Sequence, residues 1–247
     1  MATKVSRRAV AAGGAALTSA LPLVRAAAET IRGGVPWREG AAAAPRAVTD
    51  LEGYLYFTAA EAAFIEAAVA RLIPTDELGP GAIEAGVPLF IDRQLAGQYG
   101  RGRRWYMQGP WAEGLPTQGY QSRYTPAQMY RVAIADIDDA VGREVGGATF
   151  SQLAAADQER VLSRLETGQL TLRSTHAKSF FQLLLQNTME GFFSDPIYGG
   201  NRDMVGWKLI GFPGARYDNR PYVTRYGEPY PLPPVGIGGR ADWGAKS

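Results

Sequence analysis

Thr175-His176-Ala177-Lys178-Ser179-Phe180-Phe181-Gln182-Leu183-Leu184-Leu185-Gln186-Asn187-Thr188-Met189-Glu190-Gly191-Phe192-Phe193 is the stretch on which the fold turns. It contains no proline, and its apolar residues fall on more than one face of a 3.6-residue helix. A helix that is apolar on several faces must be buried, at the centre of a domain or against a partner. Pro196 ends it, because proline has no N–H for a continuing helix. Outward from this stretch, other helices carry clear start signals. Thr58-Ala59-Ala60-Glu61 and Thr125-Pro126-Ala127-Gln128 are capping boxes, the second with proline in its first turn. Phe64, Ile65, Ala68, Val69 and Leu72 follow the first at helical spacing until Pro74. Met129, Val132, Ala133, Ile137, Ala140 and Val141 follow the second. Pro88 opens a shorter helix to Leu95. Another runs from Ala155 to Leu165, with Asp157 and Glu159 in its first turn and Gly168 after its end. Any strands are short. The expected class is mainly α: an irregular helical domain over residues 54–212 with long loops.

Two segments stand apart from the helices. Residues 97–124 form a Gly/Pro-rich insertion carrying Trp105, Tyr106, Trp111, Tyr120 and Tyr124. Long loops so rich in aromatics pack on something, either their own domain or a partner. From Pro213 onward, prolines and tyrosines alternate: Tyr217, Pro221, Tyr222, Tyr226, Pro229, Tyr230, Pro231. That density excludes a regular helix or central strand, so residues 213–247 read as an extended arm.

The N-terminus reads as an address. Arg7-Arg8 is a twin-arginine pair, followed by a mildly apolar Ala/Gly-rich run and then Ala26-Ala27-Ala28. This order is that of a twin-arginine export signal over residues 1–28, whose apolar run is too short to span a bilayer. Residues 29–53 read as a flexible lead-in. The expected location is the periplasm, with a protein exported already folded.

Composition narrows the chemistry. The chain has no cysteine and a single histidine, His176. Disulfides, thiolate nucleophiles, iron–sulfur clusters, covalent c-type haem and His-rich metal sites are thereby excluded. His176 reads as a structural or capping residue. The +2 net charge includes Lys4, Arg7, Arg8 and Arg25 of the signal, so the remainder is about −2 and carries no signature of nucleic-acid binding. No Gly-rich phosphate loop, nucleophile elbow or zincin motif occurs. Asp138-Asp139 reads as a solvated helix face. Asp195, Arg202 and Asp203 fall in one polar turn, which an Asx-turn and an Arg–Asp pair would fix.

That turn belongs to a longer run, Glu190-Gly191-Phe192-Phe193-Ser194-Asp195-Pro196-Ile197-Tyr198-Gly199-Gly200-Asn201-Arg202-Asp203, continued by Gly206-Trp207-Lys208-Leu209-Ile210-Gly211-Phe212-Pro213-Gly214. The run resembles the signature of the gluconate 2-dehydrogenase subunit 3 family. The helix start at Phe57-Thr58-Ala59-Ala60-Glu61, Leu72-Ile73-Pro74 and the twin-arginine pair also fit. The resemblance covers about residues 54–217.

The resemblance implies a non-catalytic small subunit of a membrane-associated, FAD-dependent sugar or sugar-acid dehydrogenase. FAD would sit in a GMC-type flavoprotein partner, and a third subunit, a multihaem cytochrome c, would hold haem c in those complexes that have one. No cofactor is expected in this chain, and it would meet the membrane only through its partners. The small subunit would carry the flavoprotein through the export machinery and stabilise it afterwards. Asp195, Tyr198, Asn201, Arg202, Asp203 and Trp207 of the turn, with Tyr217, Tyr222, Tyr226 and Tyr230 of the arm, are the expected partner-facing residues. Two rivals remain from the residues alone: a stand-alone, cofactor-free periplasmic enzyme and a transient periplasmic chaperone.

Overall fold

The computed structural model describes residues 53–237, apart from 113, 116, 217 and 218. The twin-arginine segment, the lead-in up to residue 52, Tyr217 and residues 238–247 lie outside the described residues. Among the described residues the chain forms α1 (Ala59–Leu72), α2 (Val87–Ala96), α3 (Pro126–Glu144), α4 (Ala155–Thr167), α5 (Ala177–Phe193) and the short α6 (Val205–Ile210). Their only β pairing is in isolated bridges. The class is mainly α, as the periodicity requires.

Local chemistry sets the helix limits. Thr58 and Thr125 make reciprocal capping boxes with Glu61 and Gln128, so orphan amides at each start are satisfied. Gly168 ends α4 in a left-handed conformation, φ 75°. His176 occupies the N-cap position of α5 but makes no side-chain cap bond, and it is exposed. Its expected capping role is therefore corrected: the imidazole lies in solvent.

The α5 helix is the centre of the packing, in contact with each of the other five helices. Phe180, Leu184 and Phe192 are buried on it, and Phe64, Tyr130 and Phe150 close around them. Phe64 lies 4.6 Å from Phe150, and Tyr130 meets Phe180 edge-on at 5.5 Å. Burying one such ring stabilises the fold by about 1.5–3 kcal/mol. One polar group is built into this centre. Asn187 of α5, itself buried, accepts from the Tyr99 hydroxyl at 2.9 Å and donates to Tyr130 at 3.1 Å. It ties the 97–124 insertion to the core, and Trp105 extends the tie by packing between Tyr99 (5.6 Å) and Tyr120 (4.6 Å). The insertion thus packs at its base on its own domain.

Two carboxylates organise the connections. Asp92 on α2 is completely buried and accepts from the amides of Leu55, Tyr56 and Phe57 at 2.7–2.9 Å. Arg93 lies 3.0 Å from the same carboxylate. Together they fasten the segment that leads into α1. Asp138 accepts from the Phe150 amide at 2.8 Å, and burial pushes its carboxyl above the usual range. Asp139 pairs with Arg143 (3.5 Å) and Arg173 (2.7 Å). The expected solvated face is corrected for Asp138, which helix α3 turns inward onto the α3–α4 connection, whereas Asp139 stays in surface ion pairs.

Candidate docking surface

The run after α5 folds as a compressed reversal. Asn201, Asp203 and Met204 all take positive φ (46°, 53° and 57°). Two glycines allow the chain to approach α5: a Cβ on Gly200 would lie 2.2 Å from the Gly191 carbonyl oxygen, and one on Gly206 would lie 2.2 Å from that of Phe192. Any side chain at either position would force the backbones apart. The fully buried Asn201 staples the reversal. Its Nδ2 donates to the Ser194 carbonyl at 2.8 Å, and its Oδ1 accepts from the Gly206 amide at 2.8 Å. It joins the end of α5 to the start of α6.

Asp195 is nearly as buried and serves two chain segments. One oxygen accepts from the Ile197 amide at 3.0 Å, which is the expected Asx-turn. The other accepts from the Ile237 amide at 2.6 Å, 42 residues away. The expected Arg–Asp pair does not form, because Asp195 is occupied by amides and Asp203 is turned outward to solvent. Arg202 instead donates its backbone N–H to Ala85 at 3.0 Å and lays its guanidinium beside Gly86. Trp207 points inward. Its Nε1 donates to the Phe193 carbonyl at 2.7 Å, and its ring meets Phe212 edge-on at 5.1 Å. The side chains of Asp195, Asn201 and Trp207 thus hold the reversal together and leave little surface for a partner.

Surface is offered by their neighbours. Phe193, Ile197, Tyr198, Leu209, Ile210, Phe212, Leu232 and Ile237 are large apolar side chains exposed to solvent. The contacts just described tie most of them into one neighbourhood. Asp195 holds Ile197 and Ile237 side by side, and Trp207 links Phe193 to Phe212. Tyr198 and Phe193, with Phe90, Gln94, Glu190 and Ser194, line a shallow open groove of about 400 Å³. A cluster of exposed apolar side chains on one short segment marks a candidate contact site on a protein surface. Sequence reasoning missed Leu209, Ile210 and Phe212, although they lie within the signature run. The short α6 has too few turns to display an amphipathic period.

The segment after Pro213 is shaped by its two ends. Gly214 and Val235 form a parallel bridge. Ala215 donates to the Val235 carbonyl at 2.7 Å, and Val235 donates to that of Pro213 at 3.2 Å. The arm accordingly runs out and returns. Between the ends, Tyr222 packs on Tyr230 at 4.6 Å, with Arg225 over Tyr222 and Arg216 over Tyr230. Tyr226 is 86% exposed. Among the described residues, no three His, Asp or Glu side chains gather as metal ligands.

The family model for gluconate 2-dehydrogenase subunit 3 matches residues 59–214, from the first residue of α1 to the glycine that meets Val235. The chain belongs to the gluconate 2-dehydrogenase subunit 3 family. No curated protein and no solved structure matches it significantly. The subunit 3 match includes all six helices named above and the whole reversal, and it stops before the returning arm. Membership makes this chain a subunit of a dehydrogenase assembly of a membrane-linked kind. No helix among its described residues is long and apolar enough to cross a membrane.

Proposed function

We propose that this chain is the non-catalytic small subunit of a periplasmic, FAD-dependent sugar or sugar-acid dehydrogenase, and that it escorts a GMC-type flavoprotein through twin-arginine export. The observation that carries the reading is the apolar surface around Phe193, Ile197, Leu209, Ile210 and Phe212, exposed within the segment that matches subunit 3. The polar residues of the same reversal serve its geometry: Asp195 and Asn201 bond backbone groups. An apolar contact face held on a rigid polar frame suits a stoichiometric partner, and it suits a substrate pocket poorly. Tyr198, which lines the groove with Phe193, extends the face with an aromatic anchor, and the exposed Tyr226 of the arm offers a second. FAD belongs in this reading to the partner, and haem c to a cytochrome subunit where one is present.

The test is export and co-purification. An affinity tag on this chain is expected to isolate a flavoprotein in equimolar, salt-resistant amount, which excludes a transient chaperone. Arg7→Lys with Arg8→Lys keeps the charge but removes the guanidinium pair, and both proteins are expected to stay in the cytoplasm. If the flavoprotein reaches the periplasm in that double variant, the escort role is wrong. Substrate turnover by the isolated chain would favour the stand-alone enzyme instead.

A further inference from the structure

The 97–124 insertion has a feature that the docking surface does not use. Its base is fixed inside the domain by Tyr99, Trp105 and Tyr120. Around that base the chain turns tightly: Gly102 donates to the Tyr99 carbonyl at 2.8 Å, Arg103 to that of Gln98 at 3.1 Å, and Trp105 to that of Gly102 at 2.9 Å. With Trp105 directed toward Tyr99 and Tyr120, the turn leaves Arg101, Arg103 and Arg104 exposed. Among the described residues, none of these three guanidiniums has an ion pair or side-chain hydrogen bond. The neighbouring Tyr106 is 81% exposed, and Trp111 and Leu115 are exposed further along the same insertion. By composition, residues 97–124 hold four arginines and a single acid, Glu113, in a chain whose remainder after the signal is net acidic.

We infer that this insertion seats the subunit directly on an anionic lipid surface, with Arg101, Arg103 and Arg104 at the phosphates and Tyr106, Trp111 and Leu115 at the headgroup–acyl boundary. The combination argues for a bilayer rather than an acidic protein. Unpaired cations supply attraction to a diffuse negative surface. Exposed Tyr and Trp beside them are the residue types that settle at the membrane–water boundary, where one end of the ring is wet and the other apolar. A protein partner would bury a packed apolar centre with charges at its rim, whereas here guanidiniums outnumber apolar tips on one tight turn. The subunit would thereby touch the membrane itself, in addition to any contact made by its partners. This inference is independent of the export role and of the apolar surface around α6.

The test is vesicle partition of the full chain. Lys4→Gln, Arg7→Gln, Arg8→Gln and Arg25→Gln are placed in every sample so that the cations of residues 1–28 do not contribute. Vesicles of phosphatidylcholine with 30 mol% phosphatidylglycerol, about that fraction being enough for a negative surface potential, are compared with phosphatidylcholine alone. Binding to the anionic vesicles is expected at low salt, with a blue shift of tryptophan emission, and should weaken strongly at high salt. Replacing Arg101, Arg103 and Arg104 together by Gln should lower the partition coefficient on the order of a hundredfold. Tyr106→Ser should lower it less and leave the salt dependence in place. These residues are exposed, so the variants are expected to keep the helical circular dichroism of the parent. Equal partition of the triple variant, or no partition of its parent at low salt, overturns the inference. So does an acidic-protein contact, recognised by failure to bind vesicles together with loss of a co-purifying subunit in the triple variant.

Discussion

Replacing Asp195 by Ala removes the one group that holds both the reversal after α5 and the return of the arm. Two backbone amides lose a carboxylate acceptor, Ile197 at 3.0 Å and Ile237 at 2.6 Å. A hydrogen bond to a charged group contributes about 1.5–3 kcal/mol. Ile237 is exposed, so water replaces part of its loss, and we expect the arm's closure to weaken by about 2–4 kcal/mol. The effect should be local, because the bridge between Gly214 and Val235 depends on where Ile237 is held, whereas α1–α5 do not. Amide hydrogen exchange resolves this. The Ala215 and Val235 amides, bonded at 2.7 and 3.2 Å, should exchange roughly 30-fold to several-hundred-fold faster in Asp195→Ala, since each 1.4 kcal/mol is tenfold. The amides of Leu184 and its neighbours on α5 should keep their protection. Asp195→Asn, which retains one acceptor oxygen but turns an NH2 toward the second amide, should fall between the two. Unchanged exchange at Ala215 and Val235 in a folded Asp195→Ala protein would mean that the Gly214–Val235 bridge closes the arm without Asp195, and the latch would be refuted.

Asp92→Ala should destabilise the whole domain by about 3–5 kcal/mol, because three amide donors lose their acceptor inside the protein. Urea denaturation reads this as a lower midpoint, and a loss under about 1 kcal/mol would show that water satisfies those amides. Asp138 gives a pH-dependent contrast. Burial raises its folded pKa above the ordinary 3.8, so its favourable contribution is full below the unfolded value and is lost as pH rises through the folded one. Asp138→Asn, which can still accept from the Phe150 amide, should therefore gain on the parent between acid and neutral pH. Paired urea titrations at the two ends check the sign, and a parent that gains relative to the variant contradicts it.

The helical architecture was legible because it depends on local chemistry. The capping boxes at Thr58 and Thr125, the proline that opens α2 and the glycine that ends α4 act within a few residues of themselves, and each stands where it was read. The apolar excess of Thr175 to Phe193 required burial, and α5 is indeed enclosed by every other helix. The family run was legible as well, since its glycines and polar residues are consecutive. Which of those residues face inward was not. Trp207 and Asn201 look like partner-facing groups in one dimension, yet they close on Phe193 and Ser194. Nothing in the local sequence marks Leu209 and Ile210 as exposed, yet they are. Asp195 gains its second role from Ile237, and Asp92 from Leu55, Tyr56 and Phe57, across separations of 35–42 residues. Sequence periodicity reports which side of an element is apolar, and composition reports what chemistry is absent. Only the tertiary structure decides which apolar side finds a neighbour and which buried carboxylate finds its amides, because both depend on chain segments that meet in space after folding.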